Sequence, residues 1–215
     1  MTTHLLSRRR FLKSAGLTVA GIALAGSGLG VAATRTPINE TPELVLEGQH
    51  TMNQRILVTY ATRAGSTAEV AAAIGESLAA RGYAVDVKPV KSQPDLAGYR
   101  AVVLGSAIRM GSWLPEAVDF VKANQAALAA MPVALFTVHM LNTGADEAGR
   151  TARTAYLNAV RPLLPGAEEA YFEGLMDFSR LSFLDRLVSK MVKAVEADRR
   201  DWAAIRGWTP AALAA

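Results

Sequence analysis

The sequence predicts an α/β sandwich with a parallel sheet, and three observations carry that expectation. Five short runs of strand type recur between residues 56 and 176. Segments with helical spacing of apolar residues separate most of them, which is the beat of strands joined by crossover helices. Three of the runs, 56–60, 101–105 and 133–138, are almost continuously apolar, as strands buried on both faces read.

The elements follow in order. Ile56, Leu57, Val58, Thr59 and Tyr60 form the first strand, and a helix over about 66–81 puts Val70, Ile74 and Leu78 on one stripe before Gly82 ends it. Residues 83–90 alternate, Val85 and Val87 against Asp86 and Lys88, and predict a second, more exposed strand. A weak helix near 94–99 leads to the third strand, 101–105. A helix over about 115–128 leads to the fourth, 133–138, and a helix near 148–160 to the last, 170–176. A late helix carries Leu184, Leu187, Val188, Met191, Val192 and Val195 at helical spacing, with Arg186, Lys190 and Lys193 elsewhere around it. It is expected to close the core; docking on a membrane surface is the alternative. In such sheets ligands bind beyond the carboxyl ends of the strands, where strand order reverses. The loops after Tyr60, Gly105 and Val138 are therefore the ones to inspect.

Ahead of this domain, Ser7-Arg8-Arg9-Arg10-Phe11-Leu12-Lys13 has the order of a twin-arginine export signal. The apolar stretch after it is diluted by Gly16, Gly21, Gly26, Gly28 and Gly30 and ends in Val31-Ala32-Ala33, which suits cleavage after small residues. An ordinary secretory leader and an uncleaved anchor are the alternatives, although the stretch is at the short end of the roughly 20 apolar residues a spanning helix needs. Residues 1–33 are thus expected to be a twin-arginine signal peptide. The translocation machinery is then a partner, and the destination is the periplasm or the outer face of the cytoplasmic membrane. Residues 34–52, with Pro37 and Pro42 and little periodicity, read as a linker or extended arm, and 53–215 as the folded domain.

The net charge of +4 comes from the leader: residues 1–33 hold Arg8, Arg9, Arg10 and Lys13 and no acid, so the rest is neutral. A nucleic-acid partner is not expected from such a balance. The chain has no cysteine, which excludes disulfides and thiolate catalysis, and its three histidines are too scattered for a metal cluster.

The loop after the first strand is the most informative stretch. Ser66 and Glu69 have capping-box spacing, so a helix should start there. Gly65 allows close backbone approach, and Thr62 and Thr67 add hydroxyls at a helix N-terminus, which suits a phosphate. A well-capped helix with no ligand is the other reading. A P-loop needs lysine where Ser66 stands, and the dinucleotide fingerprint needs three spaced glycines where only Gly65 is present. The carboxyl ends of the first and third strands lack the acids of a phospho-receiver. What remains is a loop for one phosphate, with Arg63 its nearest cation.

Thr62-Arg63-Ala64-Gly65-Ser66-Thr67 resembles the T-x-T-G-x-T phosphate loop of flavodoxins, with Ala64 where those have threonine. The likeness is closer to the bacterial menaquinone-dependent protoporphyrinogen oxidase family, with its S-T-R-D-G-Q-T loop. Gly105-Ser106-Ala107-Ile108-Arg109-Met110-Gly111 is similar to that family's G-A-S-I-R-Y-G, and Met131-Pro132 and Phe183-Leu184-Asp185-Arg186 extend the match over about 54–213. The resemblance implies a flavodoxin-like three-layer sandwich, a five-stranded parallel sheet with helices on both faces, binding FMN. Thr62, Arg63, Ala64, Gly65, Ser66 and Thr67 would hold the phosphate. Ser106, Ala107, Ile108, Arg109, Met110, Gly111 and Trp113 would flank the isoalloxazine ring on one side, and His139, Met140 and Leu141 on the other. Trp113 either stacks on the flavin or packs at the helix start. Met110 stands where the family has tyrosine. Arg109 either faces N1 of the reduced flavin or is a surface arginine, and His139 either contacts a ligand or is a hydrogen-bonded loop histidine.

The implied activity is an FMN-dependent oxidoreductase working in electron transfer with a quinone or another redox partner; no catalytic acid or nucleophile stands out. A flavodoxin-type electron carrier and a flavin-less binding module are the alternatives. Carriers of this kind are strongly acidic, and this chain beyond residue 33 is neutral. Haem-precursor oxidation belongs on the cytoplasmic side, so export leaves the substrate open, whereas loading FMN before export suits a route that carries folded proteins.

Overall fold

A computed structural model of the chain describes residues 43–47, 55–191, 194–208, 210 and 213; the expected leader, and most of the expected arm, lie outside the described residues. Five strands run parallel, β2 (Arg55–Ala61), β3 (Ala84–Pro89), β4 (Ala101–Arg109), β6 (Val133–His139) and β7 (Glu168–Glu173), in the order β3-β2-β4-β6-β7. Strand β1 (Leu44–Leu46) pairs antiparallel outside β3, and β5 (Ser112–Trp113) folds back on β4. The sheet has the flavodoxin-like order, with an apolar layer on each face.

The period-two alternation of β2 sorts its side chains between those layers. Ile56, Val58 and Tyr60 enter one, with the helix α1 (Ser66–Ala80), and Leu57 and Ala61 enter the other, with α2 (Pro115–Ala123). On α1 the predicted stripe is sealed: Val70, Ile74 and Leu78 are fully buried. Burial of this kind stabilises by roughly 2 kcal/mol per side chain. The other helices are α3 (Gln125–Ala129), α4 (Glu147–Thr154), α5 (Phe183–Met191) and α6 (Trp202–Gly207).

Five expectations are corrected, the first being the weak helix near 94–99, which does not form; the turn leaving β3 is a 3-10 turn at Val90–Ser92. Strand β3 is buried, because α1 covers one face and Leu44–Leu46 takes the sheet edge beyond it. Gly75 of α1 lies so close that an added Cβ would stand 2.6 Å from Val87 Cγ2. On the other face, buried Asp86 accepts hydrogen bonds from Arg55 and from the Tyr99 hydroxyl, which raises the Tyr99 pKa, burial being the larger cause. The helix expected over 115–128 breaks at Asn124, whose amide donates to the Phe120 carbonyl. The helix expected near 148–160 ends at Thr154 and continues only as a 3-10 turn, Ala155–Leu157. Finally, α5 does not close the core: Phe183, Leu187 and Met191 are 60%, 49% and 76% exposed. That place belongs to α6 and the residues after it. Ile205 and Leu213 are fully buried, and Trp208 sets its ring edge-on to Phe136 and Phe172.

The chain between β7 and α6 is therefore an excursion. It leaves at Gly174, pairs β8 (Leu175–Met176) with β9 (Ala197–Asp198) as a two-stranded stem, and carries α5 between them.

Candidate functional site

Strand order reverses between β2 and β4: the chain goes from β2 to β3 on one side, then crosses to β4 on the other. A crevice at the carboxyl ends of these two strands is where such sheets take ligands. Three loops and the excursion meet there.

The first loop is Thr62 to Gly65. The Gly65 backbone N–H donates to Thr62 Oγ1 at 3.0 Å, and Gly65 takes the left-handed conformation (φ +85°) that glycine adopts without strain. Gly65 is the cap of α1, so the expected Ser66–Glu69 capping box does not form. The reason is electrostatic. Glu69 turns its carboxylate to Arg180, at 2.5 Å, and to Arg200, and charge-assisted bonds to guanidinium outcompete one backbone N–H. Burial would raise the Glu69 carboxyl, but these two partners outweigh it and hold it below its ordinary range.

The first backbone bond of α1 runs from the Glu69 N–H to the Gly65 carbonyl, so the N–H groups of Ser66, Thr67 and Ala68 have no intrahelical acceptor. Beside them Thr67 is fully buried and its Oγ1 has no hydrogen-bond partner; among described residues the other such atom is Thr59 Oγ1 on β2. An orphaned buried hydroxyl is costly, and at a helix N-terminus it is the donor a tetrahedral anion would use. These residues fit the single phosphate of FMN. Arg63 is half-exposed and ion-paired with Glu116 at 3.4 Å.

The second loop is a hairpin. Ser106, Ala107, Ile108 and Arg109 lie in β4 itself, Arg109 opposite Ser112, and the reversal is Met110-Gly111 with φ of +53° and +78°. Both central residues are left-handed, as in a type I′ turn, and the strained non-glycine one, Met110, is 97% exposed at the tip. Buried Ser106 accepts from the Leu114 N–H at 3.0 Å and so fixes the approach to α2. Trp113 is 2% exposed and its Nε1 donates to Thr137 Oγ1 at 2.9 Å. Its ring is core and offers no face to a ligand, which corrects the stacking expectation in favour of packing at the helix start. Arg109 Nη2 reaches Asp185 of α5 at 3.0 Å.

The third loop follows β6. His139 is 4% exposed, and its Nδ1 is 2.8 Å from the Leu141 carbonyl, so Nδ1 carries the proton. The Tyr156 hydroxyl also donates to that carbonyl, at 3.2 Å, and Asn142 Nδ2 donates to Tyr156 Oη at 2.7 Å. Burial pushes His139 below the ordinary histidine range, with the Leu141 bond opposing, so the ring is neutral near pH 7. It is a hydrogen-bonded histidine that shapes its loop. Met140 is half-buried and Leu141 is 67% exposed.

The excursion touches the first turn of α1 and the second and third loops: Arg180 and Arg200 through Glu69, Asp185 through Arg109, and Arg199 through Thr143 Oγ1 at 3.4 Å. Arg200 is also bidentate with Asp198 and lies over the Trp202 ring at 4.6 Å. Sequence reasoning passes over these residues, since Glu69 is 111 and 131 positions from its two arginines and no local pattern joins them.

Comparisons with known proteins agree with this architecture. The flavodoxin domain family matches residues 57–202. A protoporphyrinogen IX dehydrogenase [quinone] of Leishmania major is 31% identical over 170 residues, 71% of each chain. The protein of that name from Escherichia coli K12 is 26% identical over 155 residues, 68% of this chain and 83% of the relative. Among solved structures, a flavodoxin from the domain Archaea superposes with a TM-score of 0.44 at 17% identity, covering 65% of this chain and 99% of its own. By its matched sequence, the chain belongs to the flavodoxin domain family and is a homologue of quinone-linked protoporphyrinogen IX dehydrogenases.

Proposed function

We propose that this protein is an FMN-dependent oxidoreductase that passes electrons from an organic donor to a quinone, outside the cytoplasm. The observation that carries the cofactor is the fully buried, unpartnered Thr67 hydroxyl beside the open N–H groups of α1. Bound there, FMN supplies one- or two-electron transfer. The chain holds the phosphate with Gly65, Ser66 and Thr67. It borders the ring with the β4–β5 hairpin and the braced loop after His139, where exposed Met110 and Leu141 offer apolar surface. The quinone acceptor is supported by the relatives' names, and protoporphyrinogen IX is the first donor to try. The neutral charge beyond residue 33 favours an enzyme over an acidic carrier. Export is supported by Ser7-Arg8-Arg9-Arg10-Phe11-Leu12-Lys13 and by a cofactor that is held without a covalent bond.

The test is FMN content after expression in cytoplasm, followed by anaerobic turnover of protoporphyrinogen IX with a soluble menaquinone analogue. About one FMN per chain and multiple turnovers are expected. A colourless protein that does not take up FMN would overturn the reading, and FMN without turnover would leave an electron carrier. For export, changing Arg8, Arg9 and Arg10 together to Lys should hold the protein in the cytoplasm, as fractionation would show.

A further inference from the structure

The loop after β6 is held from behind by side chains that donate to its carbonyls. The Leu141 carbonyl accepts from His139 and Tyr156, those of Asn142 and Gly144 from Arg153 Nη1, the second at 2.7 Å, and that of Ala145 from Arg150. Peptide groups are planar and trans, so the N–H groups of Asn142, Thr143 and Ala145 point away from these donors. They meet no acceptor among the described residues. The charge around the site is uneven in the same direction. Arg63, Arg109, Arg180 and Arg200 are each ion-paired to a carboxylate. Arg150, Arg153 and Arg199, which gather at this loop, take no ion-pair partner among the described residues. Of the acids nearby, Asp146 accepts from the Gly149 N–H, and Glu173 stands opposite His139 in the register of β6 and β7. Arg150 and Arg199 are exposed, whereas Arg153 is half-buried. Its charge reaches the carboxyl end of β6: burial is the main reason that His139 titrates low, and Arg153 adds to it, with the Leu141 bond and Glu173 opposing.

We propose that Arg153 is a positioning residue that acts through this loop, fixing it beside the ring of bound FMN and biasing the cofactor toward its reduced form. When the donor gives up two electrons and two protons, the ring takes both electrons and one proton, and the second proton goes to solvent. The ring thereby gains one negative charge. A guanidinium without a carboxylate partner, bonded to the peptides in front of it, favours that charge and polarises those peptides in the same sense. In a crevice poor in water the effect is larger than at an open surface. The hairpin on the other side of the site does not supply it, because Arg109 is neutralised by Asp185. The inference rests on the FMN reading of the site and adds to it the residue that sets the direction of its electrostatic bias.

The test is the two-electron midpoint potential of the FMN-loaded full chain, read against a reference dye. Arg153→Gln keeps an N–H donor for one carbonyl and removes the charge. It should weaken binding of reduced FMN about tenfold relative to oxidised FMN, a fall of about 30 mV in the potential. Arg153→Lys keeps the charge without the paired carbonyl contact and should stay near the parent. So should Arg81→Gln, which removes a cation from the far end of α1. The Kd of oxidised FMN, from fluorescence quenching, should change little in all three. A second readout needs no cofactor: in FMN-free Arg153→Gln protein the NMR titration of His139 should move up. An unchanged potential in Arg153→Gln, an equal fall in Arg153→Lys, or an unmoved His139 overturns the proposal. The equal fall would leave Arg153 a brace for the loop and nothing more. A parent that takes up no FMN fails the cofactor reading and this inference together, whereas a loaded parent whose potential ignores Arg153 fails the inference alone.

Discussion

Helices α1 and α5 carry the same apolar spacing and meet opposite fates. Val70, Ile74 and Leu78 on α1 are fully buried, whereas Phe183, Leu187 and Met191 on α5 are half-exposed or more. The difference lies in what holds each helix. Helix α1 lies on the sheet and is anchored by removal of apolar surface from water. The excursion that carries α5 is anchored by ion pairs, Glu69 to Arg180 and Arg200 and Arg109 to Asp185. Apolar periodicity therefore says that a helix has an apolar face, and not what covers it.

The largest expected effect tests the first half of that contrast. Ile74→Ala or Leu78→Ala should cost about 2–5 kcal/mol in urea denaturation, as for large-to-small changes in sealed cores. Glu69→Gln should cost less, about 1–2 kcal/mol, because the carboxylate is part-exposed. Its stronger signature should be faster proteolysis within 174–200 while the sheet stays resistant. Equal protection of both regions would mean that the excursion is packed rather than latched.

Thr67→Val separates cofactor from fold. Replacing an unpartnered buried hydroxyl should stabilise the FMN-free protein by about 1 kcal/mol and weaken FMN binding about tenfold. A loss of stability without FMN would show that the hydroxyl already has a partner. His139 gives a pH effect whose sign follows from its lowered pKa. The unfolded chain takes up the proton first, near its ordinary value of 6.5, so stability present above that pH falls as the solution is acidified through it. A His139→Gln variant should lack this slope, with carboxylate losses such as that of Glu69 appearing only at lower pH. The smallest effect is Leu187→Ala, expected within about 0.5 kcal/mol of the parent. A cost comparable to Ile74→Ala would erase the contrast between the two helices.

The middle of the sheet was legible because β2, β4 and β6 are nearly continuous apolar runs between clear breaks, and Val70, Ile74 and Leu78 announced α1 directly. The phosphate loop was legible from Gly65 and its hydroxyls, although the cap is Gly65 rather than Ser66. Other features were hidden for identifiable reasons. Leu44–Leu46 is too short for a periodicity to show. Trp113 sits next to the site in sequence but spends its indole N–H inside the core on Thr137. The partners of Glu69 lie more than a hundred residues away. Local spacing can propose a contact for a carboxylate; distant arginines decide it.

The short strand β1 has a consequence for the molecule's solubility. Without it the backbone of β3 would be the open border of the sheet, a row of N–H and C=O groups on which another unfolded chain can template. Leu44, Val45 and Leu46 pair with Val87, Asp86 and Val85 and close the middle of that border. With three residues, β1 seals the edge while offering too little new edge to recruit a second chain. For a protein proposed to travel folded, β1 is thus a built-in guard against aggregation.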